Sequence, residues 1–420
     1  MHSGLVRAPK TFYRLPALVW AQIALAIGSV APILGMPIIV GALQDGWSYS
    51  GAYAGYVTSV DLAGLLVGST ATSLLAHRLD WRWYVAGTLT LSAVCNLLCG
   101  PFHDIVLLCV FRFGAGLGSG ATYASSLTLL SRYSEPVRAF SCLILLQVLV
   151  NALVLLVFPL LNEAGGPSAI FDAIAGLLFA SVIVAPLLPH RDLKASLLPP
   201  PWAVLSVPGL PPSGVPPTDL RRMRLGRVPL LPALCIMAVA LFYVTIGSYW
   251  AYAERMGIEF GISIEHVHWL LTAGVFLSAL ACMSARVVGH RFGQSRALLA
   301  ALALLAATLL VHGLFPTVAM FVVNLAVLQL CWNFIDIFQL GTLAAVDPSG
   351  RAAALVPAAQ GAALAAGPAA AGFLLSIGKG YSAVLLLAGS TTALAAATYA
   401  IVQRYAIEPV AVLEPAGAPN

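Results

Sequence analysis

The chain has 420 residues, of which 60% are hydrophobic and only 9% charged, with a formal net charge of +5. Soluble domains carry roughly 25% charged residues, so this composition excludes a soluble globular protein, a disordered chain and a strongly basic nucleic-acid binder. It points instead to a polytopic helical membrane protein, for which each span needs roughly 20 apolar residues.

In chain order, apolar runs separated by polar breaks predict twelve helices, near 17–43, 50–76, 83–100, 104–131, 139–161, 168–188, 229–253, 264–286, 295–314, 317–346, 351–376 and 380–403. The first run follows Arg7, Lys10 and Arg14 but is too long for a cleaved signal peptide. It carries Gly28, Ser29, Pro32, Gly35 and Pro37, which weaken helical hydrogen bonding and are expected to serve either flexure or close packing. A Pro-rich segment, 189–228, ends in Arg221, Arg222, Arg224 and Arg227. It divides the chain into a six-helix bundle, 1–188, a cytoplasmic linker, a second six-helix bundle, 229–404, and a tail, 405–420.

Of the 21 Lys and Arg residues, 18 fall on one side of these spans. The positive-inside rule then puts the linker and both termini in the cytoplasm, in a bacterial inner membrane. All seven cysteines lie in apolar runs at spacings that suit neither a disulfide framework nor zinc, so no metal or cofactor is expected. No phosphate-binding G-x-x-x-x-G-K-[ST] or HExxH motif occurs. An enzyme is therefore not expected.

The two halves repeat at an offset of 213. Ala76-His77-Arg78-Leu79 corresponds to Gly289-His290-Arg291-Phe292, Arg138 to Arg351, and Gln147 to Gln360. Parallel six-span repeats are a transporter architecture in which a cavity forms between pseudo-symmetric halves.

With these features the chain resembles the major facilitator superfamily over nearly its whole length. Ser73 to Arg82 resembles that family's loop 2–3 signature, G-x-x-x-D-R-x-G-R-R, and Val287 to Arg296 resembles its echo in loop 8–9. Arg112-Phe-Gly-Ala-Gly-Leu-Gly118 resembles the family's R-x-x-x-G-x-G pattern, which the resemblance associates with proton coupling. The resemblance also implies a cytoplasmic gate at His77, Arg78, His290 and Arg291. Histidine replaces the family's acid at positions 77 and 290, which would weaken the gate or make it pH-dependent. The fifth helix lacks the Gly-Pro motif of the family's drug antiporters, and a partial version appears at Ala363 to Gly372.

Ionisable residues at bilayer depth are functional candidates by default. Asp61 and Arg112 lie about eleven and nine residues from the same membrane side, at similar depth, so a pair is allowed if their helices are neighbours. Two readings stay open: a proton-coupling switch, and a permanent ion pair. In the tenth helix Gln329, Asn333 and Asp336 share a face, with Trp332 alongside. This polar ridge is expected to contact substrate or take up protons, or else to bond neighbouring helices. Gln147, Asn151 and Gln360 are further substrate-binding candidates. Tyr249, Trp250 and Tyr252 are read as an interfacial aromatic belt, or alternatively as a lid over substrate.

The expected activity is secondary active transport of a small organic solute by alternating access, coupled to protons, by a monomer in the lipid bilayer that binds no nucleic acid. The alternatives are a proton-driven drug or metabolite exporter and a non-transporting membrane sensor on the same fold.

Overall fold

The first apolar run is broken where its glycine and prolines fall. A computed structural model describes residues 17–75, 79–130, 136–188, 230–347, 352 and 355–406. In it α1 spans Ala17–Leu34 and α2 spans Met36–Gly46, with Gly35 between them. Pro37 has no N–H, so the carbonyl of Ile33 loses its helical donor. The indole of Trp250, more than 200 residues away, donates to that carbonyl at 3.3 Å.

The remaining helices are α3 (Gly51–Leu75), α4 (Trp81–Cys99), α5 (Ile105–Leu130), α6 (Pro136–Val182), α7 (Leu230–Glu259), α8 (Ile264–Phe292), α9 (Gln294–Leu314), α10 (Val318–Val346), α11 (Val356–Ser376) and α12 (Gly380–Ala406). Side-chain caps fix several starts: Asp80 accepts from Arg82 N, Asp104 from Val106 N and Leu107 N, and Thr317 from Met320 N. No strand occurs among the described residues. The linker, His77, Arg78, Arg351 and residues 407–420 lie outside the described residues.

Ten segments are long and apolar enough to cross a membrane. Trp81–Cys99 is not among them, because its sequence mixes Arg82, Thr88, Thr90, Ser92 and Asn96 with apolar residues. Cys142–Leu187 counts as one, because α6 continues through Gly165 and Gly166. Gly166 sits at φ 69°, a conformation open to glycine at little cost. Two hydrogen bonds give the direction of the second leg of α6. Ser168 donates to Gly100 O at 3.3 Å, near the end of α4, and Arg82, near the start of α4, donates to Leu188 O. The second leg therefore runs antiparallel to α4, and the predicted break between 161 and 168 falls at the kink.

Helix contacts follow small residues. A Cβ on Gly64 or Gly68 would lie 2.2 or 2.0 Å from the carbonyl oxygens of Phe113 and Leu117, and one on Gly116 or Gly120 would meet Asp61 O and Leu65 O equally closely. Paired G-x-x-x-G stretches thus bring the backbones of α3 and α5 into contact, as small residues do between membrane helices. Gly247 and Gly367 do the same between α7 and α11. Thr245 joins α7 to α12 through Ala388 O and Thr392, both at 2.9 Å. Contacts also run from α2 to α7, from α3 to α11 and from α6 to α8.

Candidate functional site

The α3–α5 glycine contact positions the first charged group. Asp61 on α3 and Arg112 on α5 form a buried ion pair, which their similar depth allows. The other guanidinium nitrogen, Nη1, donates to Asn96 Oδ1 on α4 at 2.7 Å, and Asn96 Nδ2 donates to Ser92 O at 2.8 Å. The guanidinium carbon also lies 5.1 Å from the Phe171 ring centre, within cation–π range. Residues of α3, α4, α5 and α6 therefore converge on one cation. A cavity of about 10 Å³ adjoins the pair, lined by Pro32, Ile33 and Met36 from the broken first run and by Thr58, Asp61 and Arg112.

The second charged group, Asp336, lies on α10. Its Oδ2 accepts a 2.7 Å hydrogen bond from the Tyr243 hydroxyl on α7. Its Oδ1 is buried without a hydrogen-bond partner. Trp332 lies one turn before Asp336, and its ring centre is 6.0 Å from that of Trp250, edge to face at 67°. The site thus brings α7 and α10 together.

The remaining ridge residues turn away from it. Asn333 Nδ2 donates to Ser278 on α8. Gln329 is buried against Gly274 of α8, whose Cβ would lie 3.0 Å from the glutamine chain. These two follow the helix-bonding alternative, while Trp332 and Asp336 face α7. Gln147 and Asn151 are half-buried on α6, where Asn151 Oδ1 has no hydrogen-bond partner. Gln360 is half-buried on α11. α6 packs on α1, α4 and α8, and α11 packs on α3 and α7. A second cavity, about 490 Å³, lies between α1 and α6 and is lined by apolar residues including Trp20, Ile27, Phe158 and Leu177.

The belt reading of the α7 aromatics does not hold, since Tyr249, Trp250 and Tyr252 are all buried. Tyr252 donates to Gly51 O at 2.7 Å, across to α3. One turn on, Arg255 Nη1 donates to Asp45 Oδ1 of α2 at 2.8 Å, and Arg255 Nη2 also reaches Glu254 Oε1 at 3.2 Å. Glu254 Oε2 lies 2.9 Å from His268 Nε2 on α8. This polar chain ties α2, α7 and α8 together at the end of the bundle opposite Ala17 and Ala406. His290 and Arg291 are exposed in the last turn of α8, where Arg291 stacks 5.6 Å from the Phe292 ring. Among the described residues no carboxylate pairs with either. Gly293, at φ 84°, turns the chain directly into α9.

A family model described as Major Facilitator Superfamily matches residues 17–259, more than half of the chain. The chain belongs to the Major Facilitator Superfamily. Within it, the chain is 28% identical over 114 residues to the niacin transporter NiaP of Acinetobacter baylyi, covering 27% of this chain and 25% of that protein. It is 32% identical over 109 residues to the 4-hydroxybenzoate transporter PcaK of Pseudomonas putida, covering 26% and 24%. The matched stretch thus spans about a quarter of the length of each relative. In fold the chain is similar to the solved POT family transporter PepTSo, with a TM-score of 0.71 at 13% identity over 94% of this chain and 99% of that one. The nucleoside transporter NupG gives a TM-score of 0.68 at 12% identity over 93% and 100%.

Sequence reasoning missed three partners in this superfamily member: Asn96 of Arg112, Tyr243 of Asp336 and Asp45 of Arg255. Arg255 did carry a signal, as one of only two basic residues outside the heavily basic side that do not sit inside a span.

Proposed function

We propose that this chain is a secondary active transporter that moves a small organic solute across the bacterial inner membrane by alternating access, driven by protons. In this reading twelve spans form two six-helix halves, 1–188 and 229–404. α1 and α2 together make the first span, and the two legs of α6 make the fifth and sixth. The linker and both termini are cytoplasmic, and the protein acts as a monomer.

The observation that carries the reading is Asp336, whose Oδ1 is buried with no hydrogen-bond partner among the described residues, next to the Trp332–Trp250 contact that reaches the Ile33 carbonyl near the chain's start. A buried carboxylate without a cation is expensive when ionised. It is well suited to hold a proton in one stage of a cycle and release it in another. Asp61 and Arg112, by contrast, neutralise each other inside one half, which favours the permanent-pair reading for them. The Asp45–Arg255 contact joins α2 to α7 across the halves, and opening of the outer end would break it. The burial of Trp250 and Tyr252 supports the lid alternative for them.

Ligand-dependent thermal shifts on the purified protein, followed by uptake of the hits into liposomes with and without a pH gradient, test this reading. Accumulation that rises with the gradient supports it. Binding without accumulation identifies a sensor, and accumulation indifferent to pH removes the proton.

A further inference from the structure

The surroundings of Asp336 specify the charge of what it binds. The group that touches it is the Tyr243 hydroxyl of α7, and Trp332 lies one turn away on its own helix and packs on Trp250 of α7. All are neutral side chains at pH 7. Among the described residues no Lys, Arg or His lies within ion-pair distance of Asp336, and the other interior cation near the centre, Arg112, is occupied by Asp61 and Asn96. Among the described residues the site therefore offers one acid and no base.

The walls agree in sign with the acid. Tyr243 and Trp332 put aromatic rings beside Asp336, and Trp250 packs on Trp332; ring faces attract cations within about 6 Å of the ring centre. A carboxylate or phosphate placed here would meet a carboxylate and π-faces, all of which disfavour an anion. An ammonium group would satisfy the free Asp336 Oδ1 with a charge-assisted hydrogen bond while its apolar body lies against the rings. We infer that Asp336 with these aromatics forms a subsite for a small monovalent organic cation, a protonated amine on an aromatic or apolar body. This rests on the transporter reading above and gives it a substrate class different from the acids named for the relatives.

Three probes of similar size and different charge test the inference: benzylammonium, benzyl alcohol and benzoate, titrated calorimetrically into the purified full-length protein. The expected result is that benzylammonium binds at least tenfold more tightly than either of the others. Asp336→Asn should remove at least tenfold of that affinity. Tyr243→Phe keeps the carboxylate and should keep the preference for the cation, which preserves the test if Asp336→Asn fails to fold. Preference for benzoate, or benzylammonium binding unchanged in a folded Asp336→Asn protein, overturns the inference. Uptake of the same probes into liposomes separates the two claims. Accumulation of benzoate alone leaves the transporter standing and the cation subsite wrong. Tight benzylammonium binding with accumulation of no probe leaves the subsite standing and points to a sensor.

Discussion

Asp61 and Asp336 are both acids buried in the membrane interior, and they are built in opposite ways. Asp61 has its cation supplied by the protein, in Arg112, on a helix whose backbone touches its own through glycines. Asp336 has a tyrosine hydroxyl on one oxygen and nothing on the other. The pair around Asp61 joins α3 to α5 and, through Asn96, to α4. Asp336 joins α10 to α7, next to the Trp332–Trp250 contact. An acid whose partner is fixed contributes to the frame, whereas one whose partner must arrive from solution is suited to exchange a proton or a solute.

Removing one member of the fixed pair should produce the largest effect. Arg112→Ala leaves Asp61 buried without compensation, and breaking a buried pair costs about 3–5 kcal/mol. Thermal unfolding of the detergent-solubilised variant should show the greatest loss of the set. The double variant Asp61→Asn, Arg112→Gln should recover part of it, because the two sites couple. A double variant as unstable as the sum of the singles would show that the pair is not the unit described.

The next effect belongs to the glycines that bring the pair together. A Cβ on Gly116 would sit 2.0 Å from Asp61 O, so Gly116→Ala must push α3 and α5 apart. Overpacking of this kind costs about 1–3 kcal/mol. The same unfolding measurement checks it, with Gly87→Ala as a control, since nothing lies within 4 Å of the Cβ there.

Asp336→Asn should be milder in stability and severe in transport. No ion pair is lost, so its unfolding temperature should stay close to that of the parent, while gradient-driven uptake disappears. A large loss of stability would make Asp336 a frame residue like Asp61.

The smallest stability change is expected at the α2–α7 contact. Asp45 is half exposed, and a pair open to solvent on one side contributes about 0–1 kcal/mol. Asp45→Asn should still shift the population of states. A cysteine placed at Thr58, buried beside the Asp61 cavity, should be alkylated faster by a soluble maleimide once the Asp45–Arg255 contact is gone. An unchanged rate would show that this contact does not hold that end of the bundle closed.

The architecture was largely legible because apolar runs in a bilayer must become helices. Counting residues from the membrane edge was enough to pair Asp61 with Arg112, since depth along a helix follows directly from 1.5 Å per residue. The polar ridge of α10 was legible as a face, but helical spacing does not say which neighbour each residue meets. Asn333 and Gln329 turned to α8, and Trp332 and Asp336 to α7. The α7 aromatics were misplaced for a related reason. The apolar run stops near residue 253, yet the helix continues to Glu259, and the extra turns carry Tyr249 to Tyr252 inward from the interface. The bond from Asp45 to Arg255 spans 210 residues, and no local pattern announces it. Neither does the bond from Trp250 to the Ile33 carbonyl, although Pro37 marks that carbonyl as needing a donor.

The distinction between the two acids is tested most directly by proton release. Purified protein in weakly buffered detergent solution, with a pH indicator, would be mixed with saturating benzylammonium. Release of protons by the parent and by the Asp61→Asn, Arg112→Gln variant, with none from Asp336→Asn, is the predicted result. Release that persists in Asp336→Asn, and vanishes when the Asp61–Arg112 pair is removed, would contradict it.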